Sequence, residues 1–72
     1  MNANATSNKK MIRRKRVSEK TGLALASIYN KLNPRSKYYD ETFPKQKSLG
    51  AASVGWLESE VDAWLDSRPN VS

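Results

Sequence analysis

The run VSEKTGLALASIYNKLNP, Val17 to Pro34, constrains the fold of this chain more than any other stretch. Gly22 divides it. A short helix from about Arg14 to Thr21 is expected to close there, because glycine tolerates the left-handed conformation at a helix end. Val17 and Leu23 are placed to face a core, with Met11 and Ile12 anchoring the start. In the second segment Leu25, Ile28, Tyr29 and Leu32 share one face of a helical wheel, while Ala26, Ser27, Asn30 and Lys31 fall on the opposite one. Asn33-Pro34 stops that helix, since the residue before proline is pushed out of the helical region. Two short helices joined through a tight glycine turn outline a helix-turn-helix.

The remainder is expected to complete one small, mainly α domain with a small β-hairpin. Residues 34–42 are polar and aromatic without a clear period, and are read as a loop. FPKQKSL and SVGWL can pair as short strands around Gly50-Ala51-Ala52. Leu57, Val61, Trp64 and Leu65 then repeat at helical spacing, Ser59 with Asp62 resembles a capping box, and Arg68-Pro69 marks the end. Phe43, Trp56 and Trp64 are assigned to the core, because a domain this small needs large side chains to bury enough apolar area. Residues 1–10 have no apolar periodicity and are expected to be a disordered tail, with 69–72 a second, shorter one.

Charge separates the two ends. Residues 1–53 hold twelve Lys/Arg against three acids, and residues 54–72 hold one base against four acids, within a formal net charge of +6. The cationic part favours a polyanionic partner, nucleic acid first and an acidic membrane surface second. The chain has no Cys and no His, which excludes a zinc finger, an iron–sulfur site, a thiol nucleophile and a Ser-His-Asp triad. The carboxylates sit mostly on one expected helix with no cleft to perturb them, so neither an enzyme nor a cofactor is expected. No apolar run approaches the roughly 18–20 residues of a membrane span. A cytoplasmic, nucleoid-associated protein is the expectation.

Two groups of residues are candidates for DNA contact. On the second helix, small Ala26 and Ser27 would let the backbone approach base edges, Asn30 can pair bidentately with adenine, and Lys31 can meet phosphate or guanine. Around it, Arg13, Arg14, Lys15 and Arg16 in the cluster KKMIRRKR would neutralise phosphate, and Arg35, Lys37, Lys45 and Lys47 extend that surface. Tyr38 and Tyr39 could bond phosphate or stack on a base. If both proved exposed, a small RNA-binding protein would be the rival reading.

VSEKTGLALASIYNKL, FPKQKSLG and VGWLESEVDAWL, in that order, resemble the segments of the AlpA family of phage and prophage regulators. That family is related to excisionases and to the MerR-type winged helix-turn-helix. The resemblance spans about Met11 to Arg68 and implies a winged helix-turn-helix domain over 11–68. It places Ser27, Tyr29, Asn30 and Lys31 on or beside the recognition helix, and Lys45 to Val54 on the wing. It implies a sequence-specific DNA-binding regulator that controls integrase expression or excision, with integrase, RNA polymerase or a second copy on DNA as further partners. Three positions depart from the family pattern. Ala24 stands where Ser usually caps the recognition helix, Ala52 stands where Arg is frequent at the wing tip, and 33–42 is longer than the usual connection. On this reading the last helix buttresses the fold from beneath and turns Glu58, Glu60, Asp62 and Asp66 away from DNA. The alternative is a protein-docking module that uses this acidic face.

Overall fold

In the computed structural model, residues 9–71 are described. Most of the expected N-terminal tail, residues 1–8, and Ser72 lie outside them. The order of elements is β1 (Met11–Ile12), α1 (Arg14–Thr21), α2 (Leu25–Leu32), β2 (Lys47–Ser48), β3 (Val54–Leu57) and α3 (Glu58–Asp66). Three helices and a small antiparallel sheet form a winged helix-turn-helix.

Local chemistry fixes the helix-turn-helix. Gly22 takes φ 76° at the end of α1 and its N–H donates to the Ser18 carbonyl at 2.8 Å. Two side chains then lock the turn. The Leu23 N–H donates to Thr21 Oγ1 at 3.2 Å, and the Ser18 hydroxyl donates to the Leu23 carbonyl at 2.6 Å. Ala24 caps α2 with backbone alone, and no side-chain cap bond forms. That omission is worth roughly 0.5–2 kcal/mol. Asn33, at φ −95° and ψ 111°, is already extended before Pro34.

The sheet has one strand that the sequence does not announce. β3 is central, in the order β1-β3-β2, with both neighbours antiparallel. Ile12 faces Trp56 on one edge, and Lys47 faces Gly55 on the other. Met11 and Ile12 therefore anchor the fold by strand pairing. The expected strand from Phe43 contracts to Lys47–Ser48, because Phe43 and Pro44 are buried instead. The Trp56 indole N–H donates to the Pro44 carbonyl at 3.1 Å, which satisfies a buried polar group and pins that segment.

Ile12, Val17, Ile28, Phe43, Trp56, Val61 and Trp64 form the core, and Leu23, Leu32 and Leu65 pack against it. Two details of the sequence pattern are corrected. Leu25 and Tyr29 are 40% and 41% exposed, so the buried stripe of α2 narrows to Ile28 with Leu32 beside it. Ser59 lies inside α3, whose cap position is Leu57 with no side-chain bond, so the capping box does not form.

Gly55 is the tightest point of the sheet. A Cβ there would stand 2.9 Å from the Ile12 carbonyl oxygen and 2.9 Å from Leu49 Cδ1. The leucine tip can move, but the carbonyl belongs to the β1 backbone. Gly55→Ala is expected to lose about 1–3 kcal/mol by overpacking. Circular-dichroism melts test this, and an unchanged melting temperature would mean that β1 yields without cost.

Candidate nucleic-acid interface

Helix α2 offers a two-turn ridge to solvent, opposite buried Ile28. Ala26 is exposed at its crest, with Asn30 and Ser27 half-buried beside it. Arg13, Arg14 and Lys15 converge on one flank, where with Tyr29, Val54 and Trp56 they line a cleft of about 280 Å³. All three cations are exposed. On the other flank Leu23, Ser27, Asn30, Lys31 and Tyr38 line a second cleft of about 380 Å³.

The remaining candidates are divided by their partners. Lys31, placed by the wheel on the outward face, is half-buried and leans over the Trp64 ring at 5.7 Å. Arg16 meets Glu19 at 3.5 Å, a pair more than half exposed and worth about 0–1 kcal/mol. Lys45 and Lys47 do not reach the α2 ridge. They line a separate cleft against α3, where Lys47 meets Glu60 at 3.6 Å and Lys45 lies 5.5 Å over the Tyr39 ring. Arg35 and Lys37 are exposed on the loop after α2, and among the described residues neither joins an ion pair.

Most of the acidic helix is engaged internally. The Lys20 ammonium, at the end of α1, reaches Asp62 at 2.9 Å and Glu58 at 3.2 Å. Its hydrogen bonds to Asp62 and then Glu58 raise its pKa above the ordinary lysine value. With Glu60 on Lys47, three of the four carboxylates serve as partners within the fold, and Asp66 is the exposed remainder.

The long loop is built, not slack. Asn33, Ser36 and Asp40 each accept a backbone N–H two residues on, from Arg35, Tyr38 and Thr42. Such turns substitute for regular structure. The Asp40 N–H also donates back to the Lys31 carbonyl at 3.0 Å. The Thr42 hydroxyl, acting against partial burial, holds the Asp40 carboxyl below the usual aspartate range. The Thr42 N–H, Trp64 and Arg68 add to that effect. The Trp64 N–H closes no full hydrogen bond, yet favours the ionised carboxylate beside it. Arg68 completes the clasp, with its guanidinium 4.1 Å over Trp64 and 3.8 Å from Asp40. Tyr38 and Tyr39 are both exposed, at 60% and 38%, which meets the condition set for the RNA-binding rival. The turn-forming Asn33, Ser36 and Asp40 were the signal in the sequence that this loop has a fixed shape.

The family described as prophage CP4-57 regulatory protein (AlpA) matches residues 10–69 of this chain. The DNA-binding transcriptional activator AlpA of Escherichia coli K12 is 52% identical over 59 residues, which cover 82% of this chain and 84% of the relative. An uncharacterized protein, ORF88 of Enterobacteria phage P4, is 40% identical over 47 residues, covering 65% of this chain and 47% of that protein. No solved structure matches.

Proposed function

The chain belongs to the AlpA family of prophage regulatory proteins, and from that premise we propose that it binds double-stranded DNA sequence-specifically as a transcriptional regulator of a phage or mobile element. The observation that carries this reading is the α2 ridge, small at Ala26 and Ser27 and amide-bearing at Asn30, beside the cations of Arg13, Arg14 and Lys15. Asn30 is assigned to adenine in the major groove, and the cations to phosphate. Tyr29, exposed between these groups, is assigned to the sugar–phosphate edge. Control of integrase expression or of excision is the regulatory setting we assign, with integrase, RNA polymerase or a second copy as partner on DNA. Cytoplasmic, nucleoid-associated residence goes with this reading. Among the described residues no helix is long and apolar enough to cross a membrane. Docking a protein through α3 is less favoured, because Glu58, Glu60 and Asp62 already have cationic partners.

Two substitutions test the division of labour. Asn30→Ala is expected to cost about 1–3 kcal/mol on the best duplex and to leave non-specific binding unchanged. Arg14→Ala is expected to weaken all duplexes alike and to flatten the salt slope by about one unit. Titrations of both variants on selected and scrambled duplexes give the answer. Equal losses on specific and non-specific DNA in both would remove base reading from α2.

A further inference from the structure

We infer that the loop from Asn33 to Thr42 is a second phosphate-binding wall, which grips the DNA strand opposite the one held by Arg13, Arg14 and Lys15. Lys37 and Tyr38 are its contact residues. The inference rests on the reading of α2 as the major-groove helix and adds a site on its other side.

The geometry of α2 carries it. Tyr29 and Ser27 point about 160° apart around a helix of 3.6 residues per turn. Tyr29 lies in the cleft with the arginine cluster, and Ser27 in the cleft with Tyr38. The ridge therefore stands between two grooves. A helix with its side chains is about 10–12 Å across and fills a major groove about 12 Å wide, so a phosphate row runs along each side of it. One row meets Arg13, Arg14 and Lys15. The other meets the wall formed by the loop.

That wall has the chemistry for phosphate. The Lys37 ammonium lies 5.3 Å over the Tyr38 ring and joins no ion pair among the described residues. The tyrosine hydroxyl and the neighbouring ammonium are both donors that phosphate oxygens can accept from. Both side chains are exposed, and Tyr38 is 60% so. An apolar aromatic surface this open is unused by the core, while the backbone beneath it is fixed. The Tyr38 N–H donates to Ser36 Oγ at 3.0 Å, and the Tyr39 N–H donates to the Ser36 carbonyl at 3.1 Å. Asp40 anchors the far end through Arg68 and the Lys31 carbonyl. A fixed loop presents its donors at little ordering cost.

The test uses the full chain on its best duplex, with phosphate-ethylation interference read on both strands. Lys37→Ala combined with Tyr38→Ala is expected to weaken every duplex about five- to tenfold near 0.1 M salt and to flatten the salt slope by about one unit. Its lost phosphates should lie on one strand, and those lost by Arg14→Ala on the other. Thermal melts should match wild type, since neither side chain is in the core. Unchanged affinity and slope in the double variant, or losses at the same phosphates as Arg14→Ala, would overturn the second wall while leaving α2 as the reading helix. A wild-type chain with no duplex binding would sink the parent reading instead. Tighter binding of single-stranded RNA that depends on Tyr38 would replace the wall with a stacking platform.

Discussion

Trp64→Ala is expected to destabilise the domain by about 3–5 kcal/mol, the usual cost of removing a large aromatic side chain from a core. Trp64 is 8% exposed, and the loss there reaches beyond the cavity. Its ring meets Phe43 edge-on at 4.9 Å and 76°, lies under Arg68, and is flanked by Lys31. Deleting it frees the loop, the end of α2 and the C-terminal arginine together. Small domains bury a modest fraction of their surface and are stable by only about 5–15 kcal/mol, so much of the protein would unfold. The melting temperature should fall by at least about 12 °C. Trp64→Phe keeps an aromatic ring at this buried position and should cost less than Trp64→Ala, though its smaller ring leaves a cavity. A Trp64→Ala chain that melts within a few degrees of wild type would show that the ring is not the keystone of the core.

Duplex affinity should fall about 60- to 500-fold between 0.05 and 0.2 M salt, for a slope of log K on log salt of roughly −3 to −4.5. The formal charge of +6 is a poor guide to this number. Lys20, Arg16, Lys47 and Arg68 are matched to carboxylates within the fold, so they have less to offer a phosphate. Of the cations placed on the two flanks of α2, Arg13, Arg14, Lys15, Arg35 and Lys37 join no such pair among the described residues, and if these are the ones that meet DNA about three to five phosphates are neutralised. Fluorescence-anisotropy titrations across a salt series supply the slope. A slope near zero would remove phosphate neutralisation from the mechanism, and with it the role of both flanking groups.

Much of the fold was legible because its signals are local. Gly22 and Asn33-Pro34 bound the two helices where the backbone changes region, and both effects act within a residue or two. What escaped depends on distant partners. β1 is two residues long, too short for any period to show, and becomes a strand only because Trp56 and Leu57 pass beside it. The helical wheel puts Leu25 and Tyr29 on one face with Ile28 and Leu32, yet of these four the core takes only Ile28, with Leu32 packed against it. Lys31 moved the other way, drawn back over Trp64, a contact that no local pattern encodes. The candidate site shows the same division. Arg13, Arg14 and Lys15 gather with Tyr29 on one flank of α2 and Ser27, Asn30 and Lys31 line the other, whereas Lys45 and Lys47 line a separate cleft with Glu60.

The pairing of β1 with β3 also bears on how the chain matures. A ribosome delivers Ile12 early and Trp56 late, yet the two must meet for β1 to exist as a strand. Until then the helix-turn-helix has no cover over Val17 and Ile28, because Val61 and Trp64 arrive later still. Closure across so much of the sequence is expected to slow folding relative to the local helices. A chain that ends before Val54 lacks Trp56, Val61 and Trp64 of the core and is expected to stay open to proteases.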